Sequence, residues 1–465
     1  MVMPPHVSAL ASTIQRVLNH PVRIHVGLDR LRPATNTHTI GRALVVDTNG
    51  IHFDPQHPEV REDPYPFLHQ IREHSPIFRN AIDQWWVTRH ADVSTGLRNR
   101  LLSVDPRQLD YSRDISSGSA KPSALSSWFR HQANSPLAHL YNHFLLFLDA
   151  PRHTLLRKVF SPLFSQDIIQ HLTHYIDERV TTLVADMRKQ PAPDLMRGLA
   201  LPLPVNVISR IYGVPQEDEP FVTQWARDLG MGLDMGMSHQ AVKKAEQSAD
   251  DFTRYLREHV ARLHDPRTSS QRTSLLNVDD VIRQGVTPDE LIAHIALSYF
   301  AGFETTTNTI GNGTLALLRN PDQFAGLRAD PALAENAVDE LLRYDCPVLY
   351  AVRFALEDTE IAGQEIARGS SLIFALAAAN RDPAAFPDPD RLNISRTSAK
   401  HHVAFSHGAH YCLGAALACL ELQRVFLALT RENFALVPGG LAWRNSLSFR
   451  GLDQFRIAWP SNPTT

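Results

Sequence analysis

Cysteine is scarce in this chain, with Cys346, Cys412 and Cys419 the only three in 465 residues. An odd number this small cannot build a disulfide framework and points to a reducing compartment, the cytoplasm by default. An excess of charge of one sign is also lacking, since 46 Lys and Arg stand against 49 Asp and Glu for a formal net charge of −3. That balance gives no support for a nucleic-acid binder or for a protein drawn to acidic surfaces. No sustained apolar run opens the chain either. Pro4, Pro5, Arg16, His20, Arg23 and Asp29 interrupt the stretch from Met1 to Gly41, so neither a signal peptide nor a membrane anchor is predicted.

What the chain has is length and apolar content. With 43% hydrophobic residues it can bury a large core as one compact enzyme domain. Residues 1–55 are expected to be an N-terminal extension with a helical stretch at Val7 to Leu18, and residues 56–465 the main domain. From Asp63-Pro-Tyr-Pro66 the pattern becomes regular: Phe67 to His74 predicts a short helix, Pro76 to Phe78 and Trp85 to Thr88 predict strands. Gln108 to Ala138 lacks periodicity and reads as a long irregular connection of the kind that serves as a lid. Leu203 to Pro215 predicts a core helix. Met231, Met235 and Met237 among glycines suit an adaptable roof over an apolar ligand.

Three stretches carry the chemistry. In Phe405-Ser-His-Gly-Ala-His-Tyr-Cys-Leu-Gly414 a lone cysteine, Cys412, precedes apolar residues at helical spacing (Leu413, Leu417, Leu420, Phe426, Leu427), which places it at the first turn of a helix. Free amide groups and the positive helix end are expected to favour its thiolate. Gly408 permits a bend, and Gly414 lets a flat ligand approach. A thiolate so framed suits the axial ligand of a haem iron. The second stretch opens on Thr287-Pro-Asp-Glu290, a capping box that starts an apolar run ending at Arg319-Asn-Pro321. A helix this long and apolar must cross the interior, yet Ala301-Gly-Phe-Glu-Thr-Thr306 sets a carboxylate and two hydroxyls in its middle. In the third, His153 and Arg157 lie four apart after Pro151, on one helical face, where they can hold carboxylates.

The Cys412 stretch resembles the haem-binding signature of the cytochromes P450, matching at Phe405, Gly408, His410, Cys412, Leu413, Gly414, Leu417, Ala418 and Glu421. It departs at Ser406, where the family usually has Gly, and at Cys419, where bacterial members often have Arg. Ala301 to Thr306 resembles the family's oxygen-activation motif. His153-Thr-Leu-Leu-Arg157 resembles its propionate-binding segment, Glu340-Leu-Leu-Arg343 its structural acid–base pair, and Ala379-Asn-Arg-Asp-Pro383 a further landmark. The resemblance covers roughly residues 60 to 460.

It implies a mainly α fold with a small β region, a long central helix over the haem and a proximal cysteine loop. The implied cofactor is haem b, with Cys412 as the iron ligand and His153, Arg157, Arg353, His410, Phe405 and Gly414 as further cofactor contacts. Thr305 would donate a hydrogen bond toward bound dioxygen, and Glu304 would relay protons. Glu340 and Arg343 would form a structural triad with Arg391, read from Asp388-Pro-Asp-Arg-Leu392. Leu297, Ala301, Phe303, Val348 and Leu447 would line an apolar substrate pocket. The implied reaction is insertion of one oxygen atom from O2 into a lipophilic molecule such as a polyketide, fatty acid, terpenoid or steroid, by a soluble monomer of bacterial type. Only 53 residues follow Cys412, too few for a reductase domain, so a separate ferredoxin or flavodoxin with its reductase is expected to supply electrons. Arg152, Lys158 and Lys400 are the candidate docking cations.

Three other readings stand beside this one. A peroxide-driven peroxygenase, or an isomerase or dehydratase, keeps the cofactor and changes the reaction, against the intact Glu304-Thr305 pair. A zinc module built on His401, His402, His407, His410 and Cys412 lacks any paired Cys-x2-Cys knuckle. A non-catalytic recruitment protein is expected to have lost the thiolate or the oxygen motif, and both are present.

Overall fold

The central helix runs from Pro288 to Arg319, 32 residues or about 48 Å at the standard rise. Its start is the capping box that the sequence predicts: the Glu290 amide donates to Thr287 Oγ1 at 3.3 Å, and the Thr287 amide donates to Glu290 Oε2 at 2.8 Å. Its end comes at Asn320, because Pro321 cannot continue the ladder and starts a new helix, Pro321–Ala329. The computed structural model describes residues 38–40, 44–47, 50–55, 57–80, 84–105, 107, 135–234, 238–265, 267 and 274–459. The Val7–Leu18 stretch, most of the Gln108–Ala138 connection, Met235 and Met237 lie outside these.

Around the central helix pack Pro202–Tyr212, Glu219–Met231, His239–His264 and Ala415–Thr430, the last making contact where Phe426 lies against Gly313. A Cβ at Gly313 would come within 2.5 Å of the Phe426 ring, so only glycine allows this approach of the two helices. These helices share one large apolar core. Pro202–Tyr212 stops at Gly213, whose φ of +70° is the left-handed cap that glycine supplies.

A smaller core lies under a five-stranded sheet in the order Ile77–Arg79, Gln84–Val87, Ser371–Ala375, Tyr350–Ala355, Leu102–Ser103. Ser371–Ala375 runs parallel to Gln84–Val87 and antiparallel to Tyr350–Ala355, with Leu372 opposite Trp85 and Arg353. Burial at all five positions of Ser371–Ala375 marks it as the central strand. Within the segment expected to be an extension, Leu44 and Phe53 are buried in this same core, and the Phe53 ring meets Trp86 edge-on at 6.0 Å. Among the described residues, no helix is long and apolar enough to cross a membrane.

Candidate active site

The central helix is buried at residue 303 and throughout 306–317, yet Ala301 is exposed and Gly302 and Thr305 are half-buried. These three share one helical face, so a window opens in an otherwise covered helix. A Cβ at Gly302 would meet only Ile208, at 3.4 Å. The hydroxyls of Thr305 and Thr306 donate back to the carbonyls of Ala301 and Gly302 at 3.0 and 3.2 Å, the loosening contact that threonine makes inside helices. With its proton on Ala301, Thr305 turns oxygen lone pairs toward the window, and it must rotate to donate.

Leu297 is buried one turn before Ala301 on the same helix, and Val348 and Leu447 are half-buried. Phe303 does not line the window as the sequence reading expected: it is fully buried in the large core. Neighbours on an α-helix point about 100° apart, so the residue after Gly302 is carried into the packed face.

Cys412 sits in the loop before the helix Ala415–Thr430, not in its first turn as the spacing suggested. Its amide donates to the Phe405 carbonyl at 2.9 Å, closing the loop. Burial pushes the thiol up, opposed by the Gly414 amide and the charge of Arg157. Burial thus works against the thiolate that the helix end and Arg157 favour, and a bound metal would tip the balance to the thiolate. The loop bends at Ser406, φ +60°, and Gly408, φ +73°. A Cβ at Gly408 would stand 2.9 Å from the Leu97 carbonyl oxygen, so glycine is required there. Ser406 holds a left-handed conformation that glycine would adopt without strain, with its hydroxyl buried and unpartnered. Ser406→Gly is expected to raise stability by about 1 kcal/mol, read as a higher urea midpoint at unchanged slope.

Arg157 acts electrostatically on Cys412, His153 and His410 alike, which brings the three into one site. The rings of His153 and His410 lie 4.2 Å apart. His153 is buried with Nε2 unpartnered, and burial, with the charges of His410 and Arg157, holds it down at about 4. Burial lowers His410 too, partly offset by Asp149. Asp149 accepts from His410, Ser103 and the Val104 amide, which together outweigh the upward push of burial on its carboxyl. Arg353 is buried, donates from Nη1 to the Val352 carbonyl at 2.8 Å, and is pulled down by burial to about 10. Among the described residues neither Arg157 nor Arg353 has a carboxylate at ion-pair distance. The buried guanidinium of Arg353, the half-buried one of Arg157 and an orphaned imidazole nitrogen together are costly unless anions join them. The carboxylates of a haem fit that demand, and the small-residue approach at Gly414, nearest neighbour Phe164 at 3.9 Å, fits its flat ring.

The acid–base triad is present with one member changed. Glu340 and Arg343 are fully buried and bonded at 2.7 and 2.9 Å. The third member is Arg396, whose Nε lies 3.1 Å from both Glu340 oxygens, and not Arg391, whose side chain is exposed. Arg391 contributes its carbonyl, which accepts from Arg396 Nη2 at 3.0 Å. The loop turns at Asp388, φ +49°, and carries the later arginine back to the acid.

The histidines of the zinc reading disperse. His402 faces Asp339 at 3.6 Å, His410 faces Asp149, and among the described residues no three His, Cys, Asp or Glu side chains come together to hold a metal ion. Two residues that the sequence gave no means of finding, Arg227 and Arg444, converge on buried Glu304.

The comparisons with known proteins agree with this geometry. The family model for cytochrome P450 matches residues 220–440. The chain is 35% identical to the cytochrome P450 monooxygenase PikC of Streptomyces venezuelae over 85% of its own length and 91% of the relative's. It is 34% identical to the vitamin D(3) 25-hydroxylase of Pseudonocardia autotrophica, over 85% and 94%. The crystal structure of CalO2 superposes with a TM-score of 0.78 at 31% identity, covering 88% of this chain and 98% of that one. With a cysteine loop, a cation cluster suited to propionates and a breached central helix in the family's order, the chain belongs to the cytochrome P450 family of haem b oxidoreductases.

Proposed function

We propose that this enzyme is a monooxygenase that places one oxygen atom of O2 into a lipophilic small molecule, using electrons from a separate ferredoxin or flavodoxin. The observation that carries the reading is the window at Ala301, Gly302 and Thr305 with the carboxylate of Glu304 beside it. Haem b with a sulfur ligand supplies the reductive activation of dioxygen when bound. Cys412 is the residue to hold its iron, and His153, Arg157 and Arg353 are the residues to pair its carboxylates. Phe405 is half-buried beside this loop, its ring edge-on to Tyr411 at 6.2 Å. Gly302 leaves room at the helix for a small molecule. Thr305, released from the Ala301 carbonyl, donates a hydrogen bond into the window, and Glu304 restores its proton.

Apolar Leu297 and Val348 favour a lipophilic substrate, as does the likeness to the vitamin D(3) 25-hydroxylase. Among the proposed docking cations Lys158 and Lys400 are exposed. Arg152 is withdrawn from that role, because its guanidinium is already bonded to both oxygens of Glu290.

The test is turnover with an electron-donor pair and a substrate found by screening for a spin-state change of the ferric enzyme. Thr305→Ala is expected to leave substrate affinity unchanged, while product per electron falls on the order of tenfold or more and peroxide takes the difference. Full activity with peroxide and none with electron donors would replace this reading by a peroxygenase.

A further inference from the structure

Glu304 is 3% exposed, yet two cations reach it from elements remote in sequence. Arg444, just past the strand Ala435–Trp443, bonds from Nη1 to Glu304 Oε1. Arg227, on the helix Glu219–Met231, brings Nε to 3.9 Å from Oε2. On the central helix itself Asn308 Nδ2 donates to Oε1 at 3.5 Å. Arg444 also holds Asp453 on the strand Leu452–Ala458, Nε to Oδ1 at 3.1 Å, and Asp453 is 57% exposed. The arginine backbone is fixed as well, its amide donating to the Gly451 carbonyl at 3.0 Å.

Burial pulls both guanidinium groups below their usual range, with Asp453 and Asp228 opposing this at Arg227, and Asp453 and Asp234 opposing it at Arg444. One guanidinium thus bridges a carboxylate sealed in the interior and a carboxylate in water. Its two partners compete, since any shift of Arg444 toward Asp453 lengthens its contact with Glu304. Thr305, meanwhile, points elsewhere and is bonded to Ala301, so acid and hydroxyl are not joined.

We propose that Arg444 is the positioning residue of the acid: it turns the Glu304 carboxylate to the C-terminal hairpin, and movement of Arg444 toward Asp453 frees that carboxylate to serve Thr305. In the freed state Glu304 takes a proton from water on the hairpin side and gives it up at the Thr305 hydroxyl, returning to the carboxylate that Arg444 recaptures. The hairpin thereby sets the rate at which protons arrive. This rests on the reading of Glu304 given above, and the test separates the two.

Four variants of the haem-loaded enzyme, Glu304→Gln, Arg444→Gln, Arg444→Lys and Asp453→Asn, are compared by pH profile, solvent deuterium isotope effect and product per electron. An infrared titration of the carboxylic acid band, identified by its loss in Glu304→Gln, gives a readout independent of turnover. Glu304→Gln is expected to slow turnover on the order of a hundredfold. Arg444→Gln is expected to move both the acid limb and the infrared transition to higher pH, because a neighbouring cation favours the carboxylate, and Arg444→Lys to restore most of the shift. Asp453→Asn, which removes the competitor, is expected to slow turnover severalfold and enlarge the isotope effect at unchanged substrate affinity. If Glu304→Gln is impaired while Arg444→Gln and Asp453→Asn keep the wild-type profile, infrared transition and isotope effect, the inference about Arg444 is overturned. If Glu304→Gln itself matches wild type, the role of the acid falls, and this inference with it.

Discussion

Cys412→Ser is expected to abolish the thiolate signature of the reduced, carbon monoxide-bound enzyme and to lower turnover by at least about a hundredfold, roughly 2.7 kcal/mol of barrier. The substitution changes one atom in a loop whose closing bond, from the residue 412 amide to the Phe405 carbonyl, is made by backbone. The fold is therefore expected to persist, and near-ultraviolet circular dichroism of variant and wild type should coincide. The loss falls on electron donation from sulfur, which favours O–O cleavage and which a serine oxygen does not supply. Turnover and spectrum both unchanged would remove the sulfur from the reaction altogether.

The second large effect concerns folding. Glu340 serves two guanidinium groups, Arg343 and Arg396, and also accepts from the Asn393 amide at 2.9 Å. Glu340→Gln leaves two buried cations facing a neutral amide and is expected to cost about 3–5 kcal/mol, with most of the purified chain lacking haem. Arg396→Leu breaks one of the two pairs and releases the carbonyls of Asp388 and Arg391, so a loss of about 3 kcal/mol is expected. Arg391→Ala, on the exposed side of the same loop, is expected to stay within about 0.5 kcal/mol. Urea melts of the three, with haem content per chain, decide the assignment. A collapse of Arg391→Ala beside an unaffected Arg396→Leu would restore the residue first favoured by the sequence.

That misassignment shows where the sequence is legible. The capping box, the apolar central run and the cysteine loop are local patterns whose partners lie within a few residues; the first two are found where their spacing predicts, and the third is displaced by a few residues, Cys412 lying three residues before its helix. Arg391 and Arg396 sit five residues apart in a loop without periodicity, and only the folded path of that loop, which turns at Asp388, shows that Arg396 is the one that returns to Glu340. Phe303 was misread because membership of a motif says nothing about which helical face a residue occupies. Arg444 lies 140 residues beyond Glu304, a pairing written only in the tertiary fold.

The ion pair between Arg152 and Glu290 joins two assemblies that are otherwise separate in the chain. Arg152 begins the helix Arg152–Phe160 that carries His153 and Arg157, while Glu290 completes the cap at the entrance of the central helix. Burial alone would raise the Glu290 carboxyl, but Arg152 and Thr287 hold it at about 2. A carboxyl depressed in this way adds stability above its unfolded value near 4.5, and that contribution drains away as pH drops toward 2. Acidification should therefore unfasten the cofactor's cradle and the mouth of the long helix together, so that release of the pigment and fraying of that helix share one midpoint, which Arg152→Ala would move to higher pH.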